Sequence, residues 1–165
     1  DIRSIAKAAK KQGIRTCYHN HDFEFQKIDG KYALDVLYDS IPADLLQTEI
    51  DTCWVNIGGE DPASYVLKYS GRAPILHLKD FYKSGKDNGD LYELIGIEKK
   101  EQKKADAFEF RPVGYGMQDF PKIFTAAEQA GTEWIIVEQD EPSMAKTRIE
   151  CAKMSADYVH SIIKK

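Results

Sequence analysis

Residues 73–80, Ala-Pro-Ile-Leu-His-Leu-Lys-Asp, hold the pattern on which the rest of the chain is organised. Proline followed by a short apolar run predicts a buried strand, and that strand ends abruptly on His77 and Lys79. Just upstream, Asp61-Pro62 supplies a helix cap with Pro at the first helical position, ASYVLKYS carries the helix, and Gly71 closes it. The same unit recurs on both sides. LLQTEID (45–51) is an apolar run ending on Glu49 and Asp51, preceded by the helical stretch YALDVLYDSI. IRTCYHN (14–20) leads into His19 and His21, after a helix with the stripe Ile2, Ile5, Ala6, Ala9. Downstream, Asp119 precedes the helix FPKIFTAAEQA, and TEWIIVEQ (132–139) ends on Glu138 and Asp140. A last helix is expected from about Ser143, with Ala145, Ile149, Ala152, Ala156, Val159 and Ile163 on its inner face.

Strand and helix thus alternate four times, and apolar strands covered by helices indicate the α/β class with a parallel sheet. Strands near 14–20, 45–51, 73–79 and 133–138 should be parallel neighbours in chain order. The stretch 84–107, charged and much longer than an ordinary connection, is expected to be a surface insertion in a single domain spanning 1–165.

Composition narrows the function. The 165 residues carry 23 Lys+Arg against 27 Asp+Glu, a net charge of −4, and 42% hydrophobic residues, which suits a globular protein. A slightly acidic chain without a basic stripe is poorly matched to a phosphate backbone, so nucleic acid is not an expected partner. No apolar run approaches the roughly 18 residues of a membrane span, and no membrane partner is expected. Cys17, Cys53 and Cys151 are widely spaced without a CxxC pair, so free thiols and a reducing compartment are expected.

The chemistry gathers where the strands end. Side chains two apart share a face of a strand, so Cys17, His19 and His21 point one way, as do Glu49 and Asp51, and His77 and Lys79. Parallel α/β folds place their sites at the C-terminal ends of strands, so four strands bring His19, Asp51, His77 and Glu138 to one rim. Imidazole and carboxylate together suit a divalent metal, with first-row ions favoured over calcium. Glu49 is expected to orient His19 or Lys79.

The ordered set YHNHDFEF, EIDTCWV, ILHLKDF, FRPVGYGMQDF and IIVEQDEP resembles the sugar phosphate isomerase/epimerase family, whose fold is the xylose isomerase-like TIM barrel. The resemblance covers nearly the whole chain and implies the last four βα units of a (β/α)8 barrel. It implies a metal held by Asp51, His77 and Glu138, drawn from Mn, Co, Mg and Zn, and a small sugar substrate. It implies an isomerase or epimerase that moves a proton next to a carbonyl, with Glu138 as one acid/base residue. The fifth strand departs from the family pattern, since His19 stands where Glu is usual, and His21, Glu24 or Lys79 are the candidates for the second proton carrier. A His-x-His on this strand also resembles the inosose dehydratase group, so dehydration of a keto-polyol is the alternative activity, and a non-catalytic sugar-binding module a further one. Trp54 and Arg111 are expected to contact substrate. Four units leave two open sheet edges, from which a homodimer is expected.

Overall fold

The computed structural model describes residues 1–84 and 108–163; the expected insertion at 84–107 lies outside them except for Ser84. A four-stranded sheet forms the framework, in the order β1 (Cys17–His19), β4 (Gln47–Asp51), β5 (Ile75–Leu78), β8 (Trp134–Val137). Cys17 pairs with Gln47 and His19 with Glu49, while Asp51 pairs with His77, all in parallel register. The strands therefore neighbour one another in the expected order, as in part of an α/β barrel. Two small antiparallel pairs add to it, β2 (Lys27–Ile28) with β3 (Lys31–Tyr32), and β6 (Asp80–Lys83) with β7 (Phe108–Arg111). No helix among the described residues is long and apolar enough to cross a membrane.

The chain gathers into two compact units. The first comprises Asp1–His77 with Lys122–Ile136, and the second Leu78–Pro121 with Val137–Lys165. In the first, Thr48 and Ile50 of β4 and Leu76 of β5 are fully buried. They share a core with Leu34 and Tyr38 of α2 (Ala33–Ser40), Trp54 and Val55 of α3 (Thr52–Ile57), and Val66 of α4 (Pro62–Lys68). Gln47 and Glu49 alternate with these core residues and are only half-buried, as period two requires. Helix α1 (Ile2–Lys11) starts where the Asp1 side chain accepts from the Arg3 amide. At α4 the Asp61 carboxylate accepts from Ser64 and pairs with Lys122 of α5 (Phe120–Ala130), and it is held down at about 2 chiefly by that lysine.

The last helix corrects the sequence reading twice. It begins at Arg148, not near Ser143: α6 spans Arg148–Ile163, because Met144 and Ala145 adopt left-handed backbone that interrupts any helix there. Thr147 and Glu150 exchange hydrogen bonds in a capping box, with Thr147 N–H to Glu150 at 2.8 Å and Glu150 N–H to the Thr147 hydroxyl at 3.3 Å. The inner face is also rotated from the expected stripe. Cys151 and Ser155 are buried, whereas Ile149 is 83% exposed. Ser155 explains the choice, since its hydroxyl accepts the Val113 amide at 2.9 Å and pins that face of the helix to the 112–118 loop.

Candidate metal centre

In the first unit, three of the expected ligands converge. The ligand atoms of His19, Asp51 and His77 lie within 4.8 Å of one another. Parallel pairing sets Asp51 beside His77, and His19 one pleat step lower reaches up with the longer imidazole: its Nε2 is 3.3 Å from Asp51 Oδ2. Asp51 is fully buried and divides its two oxygens between tasks. Oδ1 accepts the amides of Cys53 (2.8 Å) and Trp54 (3.3 Å), capping α3, which leaves Oδ2 toward the imidazoles. Its backbone is held by Asn20, whose side chain accepts the Asp51 amide at 3.0 Å. The rings of His19 and His77 are 4.7 Å apart. Two imidazole nitrogens and one carboxylate oxygen, each able to approach an ion to about 2.0–2.2 Å, form a donor set that fits a divalent first-row metal.

Glu49 reaches His77, with its Oε1 2.7 Å from His77 Nε2. The parallel register explains this: Glu49 stands one pleat step before Asp51, and His77 is Asp51's partner on the adjoining strand.

His21 and Glu24 sit on the turn after β1. The His21 ring lies 5.2 Å from His19 and 5.5 Å from Trp54. Glu24 is buried with both oxygens engaged, accepting from the Tyr18 hydroxyl (2.8 Å) and the His21 amide (2.9 Å). Burial and that bond to Glu24 push the Tyr18 phenol up to about 12. Trp54, expected to contact substrate, is 0% exposed on α3.

In the second unit, Lys79 is buried with its amine 3.5 Å from Glu138 and 3.0 Å from Asp140, and 5.3 Å from the Phe110 ring centre. Glu138 follows β8 directly, and its amide donates to Leu78 O at 3.1 Å, which sets it beside the end of β5. Arg111, expected to contact substrate, is paired with Glu109 at 2.6 Å and lies over the Tyr82 ring.

Sequence reasoning missed Asp80. This fully buried carboxylate accepts the amides of Phe81, Gly114, Gly116, Met117 and Gln118 at 2.8–3.2 Å, shaping the loop after β7. Burial pushes its carboxyl up against the opposing pull of these amides. A Cβ on Gly116 would meet Asp80 Oδ1 at 2.3 Å and the Phe81 carbonyl at 2.4 Å, so only glycine lets the backbone close over the carboxylate. The signal was present: an acid after a strand and a Gly-x-Gly some thirty residues on, a spacing that only the fold closes.

Comparison with known proteins agrees with this architecture. The family profile described as Xylose isomerase-like TIM barrel matches residues 1–156. The chain belongs to that family. Inosose dehydratase from Lacticaseibacillus casei is 25% identical over 162 residues, covering 96% of this chain and 51% of that protein. Inosose dehydratase from Clostridium beijerinckii is 26% identical over 161 residues, with the same coverage. A crystal structure of a sugar phosphate isomerase/epimerase from Parabacteroides distasonis superposes with a TM-score of 0.72 at 24% identity, covering 97% of this chain and 49% of that one. The chain spans about half the length of the curated relatives it matches.

Proposed function

We propose that this chain carries the metal-binding part of an enzyme that moves a proton at the carbon next to a carbonyl in a sugar or keto-polyol. The observation that carries the reading is the convergence of His19, Asp51 and His77 at the C-terminal ends of adjacent parallel strands. The proposal adds Glu138 as the fourth ligand, from its place at the end of the next strand. A bound divalent cation would supply Lewis acidity, polarising the carbonyl and an adjacent hydroxyl.

The protein's own groups have separable tasks. Glu49, 2.7 Å from His77 Nε2, is placed to orient the His77 ring. Glu138 is the base candidate, with the Lys79 amine 3.5 Å from its carboxylate. His21, next to His19, and Lys79 are the candidates to carry the second proton; Glu24 instead braces the turn through Tyr18 and His21.

Isomerisation, epimerisation and dehydration share removal of the α-proton and differ in the next step. Reprotonation gives an isomer or epimer, whereas loss of a neighbouring hydroxyl as water gives the dehydrated ketone. The imidazole at the first ligand position and the relatives named inosose dehydratase support dehydration as the second reading. One experiment tests both. Protein purified without chelator is assayed for metal by elemental analysis, then incubated with inosose or a ketose in D2O and followed by NMR. Metal near one equivalent with deuterium entering the α-carbon is expected; loss of water identifies the dehydratase. Absence of bound metal after incubation with Mn(II), Co(II), Mg(II) and Zn(II) in turn would overturn the reading.

A further inference from the structure

We propose that Phe23, carried on a braced turn beside the His19–Asp51–His77 cluster, is the stacking platform for the C–H face of a cyclic polyol or sugar ring; this rests on the function proposed above. Trp54, the residue expected to stack, is fully buried, whereas Phe23 presents aromatic surface. It is 48% exposed.

Isolated exposed apolar residues are ordinary, so exposure alone means little. Three features set this one apart. First, the turn is fixed. Phe23–Phe25 is a single 3₁₀ turn whose middle residue, Glu24, is buried and accepts from Tyr18 and the His21 amide. Its last residue, Phe25, is buried between Tyr32 and Tyr65 and pressed against Gly58 so closely that a Cβ there would fall 2.5 Å from the ring. A turn held at both other positions gives Phe23 a defined place at little entropic cost on binding. Second, its ring stacks on the His21 imidazole, at 11° and 5.5 Å between centres, which fixes the plane of the Phe23 ring. Third, the stacked pair stands next to the cluster: His21 is 5.2 Å from His19, whose Nε2 is 3.3 Å from Asp51.

A flat aromatic surface beside a metal-type cluster selects for shape. A ring polyol turns an apolar face of C–H groups to the aromatic while its hydroxyl oxygens reach the polar cluster, whereas an open chain with the same hydroxyls presents no such face. The platform therefore favours ring substrates over linear ones, and contributes to binding more than to the chemical step.

The test uses myo-inositol and sorbitol, six-carbon polyols that are ring and open chain, titrated into the protein with and without Mn(II) and read by tryptophan fluorescence or calorimetry. The unchanged protein should bind myo-inositol about tenfold more tightly than sorbitol, a difference of about 1.4 kcal/mol. Phe23→Ala should erase that preference while keeping its Mn(II) content and melting temperature, and Phe23→Tyr should keep the preference. A ring preference that survives in Phe23→Ala, or that the unchanged protein lacks, overturns the platform. Mn(II) content is measured on the same samples. A ring preference that depends on Phe23 but appears without any retained metal would uphold the platform and break the metal-dependent reading.

Discussion

Two buried aspartates at strand ends, Asp51 and Asp80, show how the same side chain is put to opposite uses. Asp80 gives both oxygens to backbone amides, five in all, and its value lies in the loop it shapes. Asp51 gives one oxygen to the amides that start α3 and turns the other toward two imidazoles. A carboxylate saturated by amides is an anchor; one with an oxygen facing nitrogen ligands can take a cation. Burial alone does not separate the two, since both are fully enclosed.

That contrast is breakable. Asp51→Asn should lower metal retention by more than 100-fold in elemental analysis, because a neutral amide is a poor ligand, while its remaining oxygen still caps α3 and the melting temperature falls little. Asp80→Asn should do the reverse, retaining metal but turning an amide donor toward backbone donors. The expected loss is about 3 kcal/mol, or roughly 6–12 °C in melting temperature for a chain of this size. Metal lost from Asp80→Asn with unchanged stability, or kept by Asp51→Asn, would dissolve the distinction.

Gly116→Ala sharpens it from the backbone side. The new methyl meets the anchored carboxylate and a carbonyl, neither of which is a flexible side-chain end, so about 2–3 kcal/mol should be lost in denaturant titration with metal content unchanged. Away from both aspartates, Thr147→Ala should cost about 1 kcal/mol by opening the capping box of α6, without effect on metal. The smallest effect is expected at alkaline pH. The folded Tyr18 phenol stands at about 12, above its ordinary 10.0, so its contribution is complete below pH 10 and is lost as pH rises from 10 towards 12. Stability of Tyr18→Phe should therefore fall less steeply across that window, and an identical slope would remove Glu24 from its bracing role.

The order of the four parallel strands, the α/β class and the strand ends that carry His19, Asp51 and His77 were legible in the sequence, because periodicity and strand-end position are local properties that chain order preserves, whereas α3 and the two antiparallel pairs were not. The start of α6 was not, since Ala145 reads as helical until the left-handed backbone at 144 and 145 breaks the run. Nor was its inner face, because small residues satisfy several stripes equally and the choice fell to the hydrogen bond between Ser155 and Val113. Tertiary structure also decided which carboxylate holds which partner. Glu49 reaches His77 through strand register, Asp80 gathers amides from a loop more than thirty residues away, and Trp54 turns inward while Phe23 stays at the surface. The sequence by itself determined which chemical groups reach the strand ends; the fold alone determined which of them are spent on holding the backbone, because long-range hydrogen bonds and packing leave no local trace in the chain.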